Sequence, residues 1–583
     1  MILIFSVLIT AAVYWGILGN EIYNYTLKEG NPDKIINRLS DKFYELRYRH
    51  DVIEESSPEK LYQNLYDVQS YSIKIKIDFT EKYISGIVKM NFINLSDTLN
   101  KVYVNLSEDM KVNYVKFKNS DINYERKNNY LIIFTGQMQT DADAYEIEIG
   151  YEGKPIKKGF DSFGFKTFDG EPAVYTLSEP EYASTWWPCK DTPSDKALAE
   201  IFITVPSKLT AVSNGLLQEI TDEPDEQKTF HWKSSYPITT YLVSICAAKY
   251  DYRSETYTSL DGSKTMPVDY YTYPSYTEKS KTDWGNTVAM IKYFSEKFGE
   301  YPFIDEKYGM AMFGWTGGAM EHQTISSMGY TLVKGDGRYE DIVVHELVHQ
   351  WFGDAVSPQS WKDIWLNEGF ATYGEALWIE NINGKEAYTQ YLKKQDYGFF
   401  NGTVYDPEGF LFSSTVYKKG CWCLHMLRGT VGDSAFFQIL RNYFEKYKYK
   451  SASTGDFLEI CNEVSGQDLR YFFDQWIYKG KDRPEYVYSW TADKIKNSTD
   501  GELYNFKLNL KQIQSGDIDV YVMPVKIKIV TETGNEESTF INNKREQEFI
   551  QNFKSKPVDI IIDPDYLILK SITKSENINS EKQ

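Results

Sequence analysis

Cysteine is scarce: only five are scattered through 583 residues, at positions 189, 246, 421, 423 and 461. An odd and irregularly spaced set gives no disulfide framework, and Cys421 and Cys423 stand too close together for the C-x-x-C spacing of a zinc knuckle. All five read as packing residues. Positive charge is also short, with 64 Lys and Arg against 83 Asp and Glu, a formal net charge of -19 and no basic run. That balance repels phosphate backbones, which excludes nucleic acid as the main partner and favours a neutral or cationic substrate. Histidine numbers six in the whole chain. Two of them at metal-binding spacing therefore carry weight. No internal repeat or low-complexity tract is present.

What is there is ordinary soluble-globular composition, 42% hydrophobic and 25% charged. A chain of this length divides into about three or four domains. Residues 1–19, MILIFSVLITAAVYWGILG, carry no charge. Such a run is a signal peptide or a membrane anchor, so the protein is expected to be exported, periplasmic or extracellular or tethered, rather than cytoplasmic. Residues 20–60 form a spacer in which Asn31, Pro32 and Asp33 open an amphipathic helix carrying Ile35, Ile36, Leu39, Phe43 and Leu46. From 61 to 273 the hydrophobic period is two, as in YSIKIKIDF and AYEIEIGY, which predicts a large N-terminal β domain. Helical periodicity dominates 274–483, the expected catalytic domain. Alternation returns over 484–572, a small β-sandwich, and 573–583 is a polar tail expected to be disordered.

The chemistry concentrates in HELVHQWFGDAVSPQSWKDIWLNE, residues 345–368. On a helix His345 and His349 share a face, so both imidazoles can reach one cation while Glu346 points toward the same place. A hydrolytic zinc site takes three protein ligands and leaves one position open for water. The downstream acids that could complete the set are Asp354, Asp363 and Glu368. Glu368 sits in a second helical pattern, WLNEGFATYGEALW, which could bring it to the metal. Glu346 is the natural general base, taking a proton from a water whose pKa the cation lowers and passing it to the leaving amine. Glu375, seven residues beyond Glu368 on the same face, can orient a ligand histidine from behind.

HELVHQWFGD, then LNEGFATY, with GGAMEHQT upstream and SSTVYKKG downstream, resembles the gluzincin zinc aminopeptidases, the family of alanyl aminopeptidase and leukotriene hydrolase. The likeness runs from about Tyr66 to Pro484. It implies an α+β multidomain fold: a β saddle domain, a thermolysin-like α/β catalytic domain and a C-terminal β-sandwich, here without the large helical cap of many relatives. It implies one Zn2+ per chain held by His345, His349 and Glu368, and peptides with a free N-terminus as substrates. By the same resemblance the backbone of Gly317, Gly318, Ala319 and Met320 binds substrate, and Glu321 grips the α-amino group. Glu179 joins Glu321 from the β domain, with Glu181 as the runner-up. Tyr417 donates its hydroxyl to the tetrahedral oxyanion. His322 replaces the family's usual asparagine and introduces a group that could titrate near neutral pH. Epoxide hydrolysis on a lipid occurs in one branch of the family, and a catalytically dead scaffold is the non-enzymatic alternative. The complete set of ligands, base, anchor and tyrosine opposes the scaffold.

Overall fold

A computed structural model describes Lys42 and residues 56–575, apart from 141–143, 399, 401, 499 and 500. The apolar run 1–19 and the helix expected after Asn31 lie outside the described residues. Among the described residues no helix is long and apolar enough to cross a membrane. The chain divides into two compact units. One comprises His50–Trp378 and Phe437–Val464; the other takes Met1–Arg49, Ile379–Phe436 and Ser465–Gln583.

In the first unit the period-two segments become an eight-stranded sheet. Its strand Tyr66–Asp78 buries Ile73, Ile75 and Ile77 and exposes Lys74 and Lys76, as alternation requires. Ile73 lies opposite Val88 of an antiparallel neighbour and Ile201 of a parallel one. The strands Phe163–Phe168 and Glu171–Thr176 belong to a separate four-stranded sheet. The segment leaving Thr176 is pinned by the fully buried Trp186 and Trp187. It carries Glu179, Glu181, Asp191 and Lys196 toward the strand Ala197–Pro206.

The same unit holds a five-stranded sheet in the order 251–258, 265–272, 308–313, 326–329 and 319–320. Its strands Asp251–Thr258 and Thr265–Thr272 fall within the expected N-terminal β domain, yet Thr265–Thr272 pairs in parallel with Tyr308–Phe313. Alternation identifies a strand without identifying its sheet. Tyr308–Phe313 is buried at every position. Both its faces are covered, so it has no period-two signature and hides within a stretch whose periodicity is otherwise helical. Among the described residues Ala319–Met320 is an edge strand, paired with Ser326–Gly329, with Ala319 opposite Met328.

The helix Glu340–Val348 starts with Glu340 and Asp341 in its first turn, where carboxylates suit the positive end of the helix dipole. It buries Val343, Val344, Leu347 and Val348. A second helix begins at Trp365 and runs to Gln395, interrupted at Gly384, whose φ is 81°. The two helices approach closely at Gly374: a Cβ there would stand 2.5 Å from Val348 Cγ2. Only glycine permits that approach.

The second unit contains the helix Gly420–Val431, preceded by a π-helical turn over Thr415–Lys419. Its strands form a four-stranded sheet (546–553, 501–512, 485–498, 571–574) and a three-stranded sheet (534–542, 523–531, 557–562). Thr573 and Lys574, expected in a disordered tail, instead pair in parallel with Val487 and Tyr488. Their polarity suits an exposed edge strand, which apolar periodicity does not reveal. All five cysteines are buried and no two of them form a disulfide.

Candidate active site

The site is built from residues upward along the two helices. His345 Nε2 lies 3.1 Å and His349 Nε2 3.4 Å from Glu368 Oε2. Four-coordinate tetrahedral zinc with bonds of about 2.0–2.1 Å places its ligand atoms roughly 3.3 Å apart, so these donors fit the ion. Each imidazole is oriented from behind. His345 Nδ1 is 2.8 Å from Glu375 Oε1, and His349 Nδ1 donates to the Phe352 carbonyl at 3.1 Å, which turns both Nε2 atoms toward Glu368. Burial alone would raise the Glu368 carboxyl, but positive charge on His349 and His345 outweighs it and holds Glu368 at about 2. The cluster favours positive charge, as a cation site must.

The competing acids separate cleanly. Asp363 is committed to the backbone and hydroxyl of Thr454 at 2.7 and 2.8 Å. Asp354 is fully buried and no hydrogen-bond partner meets either carboxylate oxygen, but it lies outside the His345, His349, Glu368 donor cluster. Glu346 is buried beside that cluster with Oε2 unpartnered, and burial pushes its carboxyl up to about 8. A base of that strength suits proton transfer near neutral pH.

A second trio, Glu179, Glu321 and Glu368, has carboxylate oxygens all within 4.8 Å of one another. Glu179 and Glu321 are buried, each with one oxygen lacking a partner. Burial raises Glu179 well above the ordinary carboxylate range, and the neighbouring Glu321 raises it further. Glu321 is likewise raised by burial, with His349 opposing. Two unsatisfied carboxylates beside a cation site form a receptor for a positive group such as an ammonium. Glu181 is placed differently: it accepts from Lys60 Nζ at 2.5 Å and Trp361 Nε1 at 3.0 Å. Those bonds occupy it.

Gly317 and Gly318 lie over the Trp315 ring, where a Cβ on Gly317 would stand 2.4 Å from Trp315 Cζ2. Ala319 and Met320 follow on the edge strand, which continues into Glu321. His322 is fully buried, with Nδ1 2.8 Å from Ser327 Oγ. Burial takes its pKa down to about 3. The expectation of a group titrating near neutral pH is therefore corrected: desolvation holds this imidazole neutral. Tyr417 belongs to the second unit, within the turn Thr415–Lys419. Two features escaped the sequence reading. One is the back of the site, where Lys196, Tyr241 and Asn367 tie its turns together; the other is the Lys60 contact that occupies Glu181. Their partners are far apart in sequence, and only the motif neighbours of Lys196 and Asn367 gave any signal.

Two histidines and a glutamate converging on one point, with an unpartnered carboxylate beside them, are the mark of a metal-dependent hydrolase. Comparison with known proteins narrows the class. Residues 67–242 match the peptidase M1 N-terminal domain and residues 283–476 the peptidase family M1 domain. The chain belongs to peptidase family M1. It is 26% identical over 438 residues to probable aminopeptidase 1 of Sulfurisphaera tokodaii, covering 71% of this chain and 53% of that protein. Glutamyl aminopeptidase of Sus scrofa is 31% identical over 329 residues, covering 52% and 34% of the two chains. The chain thus spans about half the length or less of these curated relatives. Among solved structures, the M1 zinc metallopeptidase of Deinococcus radiodurans superposes with a TM-score of 0.65 at 26% identity, covering 72% of this chain and 94% of that one. Aminopeptidase A of Legionella pneumophila shares the fold, with a TM-score of 0.76 at 17% identity over 88% and 60% of the chains. Zinc, the metal of the Deinococcus relative, is the cofactor that the donor set fits.

Proposed function

We propose that this protein is a zinc aminopeptidase that removes the N-terminal residue of peptides. The observation that carries the reading is the pair Glu179 and Glu321, buried and incompletely hydrogen-bonded within reach of the metal ligands. An endopeptidase has no use for two buried carboxylates at this point. An exopeptidase needs them to fix the free ammonium and so place one residue before the scissile carbonyl.

Zinc, when bound, supplies Lewis acidity to the scissile carbonyl and lowers the pKa of a water. His345, His349 and Glu368 would hold it. The carboxylates of Glu179 and Glu321 pair with the substrate ammonium. The free edge of Ala319–Met320 offers backbone groups to an extended substrate, which would add as a short strand. Glu346 takes a proton from the attacking water at its carboxylate and returns it to the leaving amine nitrogen. Tyr417 is assigned as the donor to the oxyanion on the strength of the SSTVYKKG motif alone; one such donor contributes about 3 kcal/mol. Export through residues 1–19 completes the proposal.

A mutant of the Deinococcus enzyme has been solved bound to a Tyr-Ser-Ala substrate, which supports a peptide as the substrate here. The test uses chromogenic aminoacyl anilides and their N-acetylated counterparts. Cleavage of the free-amine substrates only, abolished by a chelator and by Glu346→Gln, is the expected result. Equal cleavage of the acetylated compounds would remove the exopeptidase assignment.

A further inference from the structure

The N-terminal β domain contributes more than Glu179. The turn after the HELVH helix holds the acceptor that orients His349, since the Phe352 carbonyl receives the His349 Nδ1 proton at 3.1 Å. Asp354 N returns to the His349 carbonyl at 2.9 Å. Gly353, with φ 135°, brings this turn so close that a Cβ would stand 3.0 Å from His349 Nδ1. The turn is thus folded tightly around one metal ligand.

Two side chains from the β-domain part of the chain hold the turn from the far side. Lys196 Nζ donates to the carbonyls of Asp354 and Ala355, the latter at 3.1 Å. Tyr241 Oη donates to the Gly353 carbonyl at 3.2 Å. The same Tyr241 oxygen accepts from Asn367 Nδ2 at 3.2 Å, and Asn367 immediately precedes the ligand Glu368. One hydroxyl therefore touches the supports of two ligands. Lys196 also lies beside the buried Asp354 carboxylate: burial, Glu321 and Glu346 push that carboxyl up and Lys196 opposes them, while burial pulls the Lys196 ammonium down to about 7 and Asp354 opposes that. The hydrogen bonds of Lys196 and Tyr241 go to these supports and not to His345, His349 or Glu368.

We propose that Lys196 and Tyr241 form a brace through which the N-terminal β domain positions His349 and Glu368 and so sets the affinity of the site for zinc. Both are positioning residues. The inference rests on the reading of His345, His349 and Glu368 as a zinc site, and it makes metal affinity a property of two domains rather than of the catalytic motif alone.

The test uses the purified full chain and the variants K196M, K196R and Y241F. Zinc affinity is measured by competition with a chromophoric chelator, and the cobalt-substituted protein is compared by its visible absorption. Loss of a support behind a ligand histidine typically weakens metal affinity about 10–100-fold. K196M and Y241F are each expected to lose about 10-fold and to shift the cobalt bands, with far-ultraviolet circular dichroism unchanged. K196R, which keeps the charge and donors, is expected to restore most of the affinity. Folded K196M and Y241F proteins with native zinc affinity and native cobalt spectra would overturn the brace. If K196M does not fold, Y241F decides, because it removes one oxygen only: native affinity refutes the proposal and a loss with a shifted spectrum supports it. A wild-type protein that binds no zinc would refute the underlying site assignment instead.

Discussion

Glu179→Gln tests the assignment of the amine site, because activity and stability should move in opposite directions. In the native site the carboxylates of Glu179 and Glu321, proposed to receive the substrate ammonium, have oxygens within 4.8 Å of one another and of Glu368. Unit charges about 4 Å apart interact by about 4 kcal/mol at the effective dielectric of roughly 20 that suits protein sites. Truncating one partner of a buried charged hydrogen bond costs about 2–5 kcal/mol. Taking about 2–4 kcal/mol for one of two carboxylates gives a fall in kcat/KM of roughly 30- to 1,000-fold. The assay compares an aminoacyl anilide with its desamino analogue, which lacks the ammonium; the variant should lose activity on the first and little on the second. Its stability should rise, because burial and the charges of Glu321 and Glu368 all oppose ionisation of Glu179. A neutral amide removes that repulsion. Retention of kcat/KM within about threefold, or an equal loss on both substrates, would refute the reasoning.

Other perturbations probe separate parts of the structure. Glu346→Gln should lower kcat about 10²–10⁴-fold with zinc content and KM preserved, as expected for loss of a proton carrier; unchanged kcat in a metal-loaded variant would exclude Glu346 as the base. Gly374→Ala forces a Cβ to 2.5 Å from Val348, so it should cost about 1–3 kcal/mol by overpacking and also weaken zinc binding, since Glu368 and Glu375 ride on that helix. Native zinc affinity in this variant would show that the helix spacing is not what sets the ligands. His425 lies in the other unit, with Nε2 donating to the Tyr566 carbonyl at 3.0 Å and Nδ1 accepting from Tyr388 at 2.7 Å. Burial depresses its pKa from 6.5 to about 4. A depressed folded pKa means the unfolded chain binds the proton more readily, so this stability is full above about pH 6.5 and is lost as pH falls toward 4. The shift corresponds to about 3 kcal/mol. Unfolding free energies at pH 7 and pH 4.5 should differ by about that much less in His425→Gln; an identical pH dependence would contradict the assignment.

The sequence made the candidate metal-binding cluster legible because a helix converts a spacing of four into a shared face. His345 and His349 needed no tertiary information. Glu368 did, since spacing alone left Asp354 and Asp363 open, and the contact at Gly374 and the Thr454 bonds to Asp363 decide among them only in space. Exposed alternation in Tyr66–Asp78 was visible, whereas Tyr308–Phe313, covered on both faces, carried no period. The sheet to which Thr265–Thr272 belongs was hidden for a related reason: a strand's partner is set by parallel pairing across about forty residues, which local pattern does not encode. His322 shows the same limit for chemistry. Its side-chain type suggested titration, and its burial removes it.

The distribution of unsatisfied polar atoms gives the site its physical character. Buried polar groups are normally hydrogen-bonded, and an unpaired one costs about 1–3 kcal/mol. Here Glu179, Glu321 and Glu346 each bury an oxygen without a partner, Asp354 buries two and Asn367 one. Such an arrangement would be selected against if stability alone mattered. It is coherent if positive groups enter the site: a cation between His345, His349 and Glu368, and an ammonium between Glu179 and Glu321. Each would offset part of the cost of burying those carboxylates. Ligand binding should then stabilise the first unit more than the net charge of the ligand suggests, because it relieves repulsion as well as adding attraction. Asp354 is the exception that sharpens the point. Its carboxylate has no hydrogen-bond partner; burial and Glu321 push it up while Lys196 opposes them, so it feels the substrate side of the site as well as the brace.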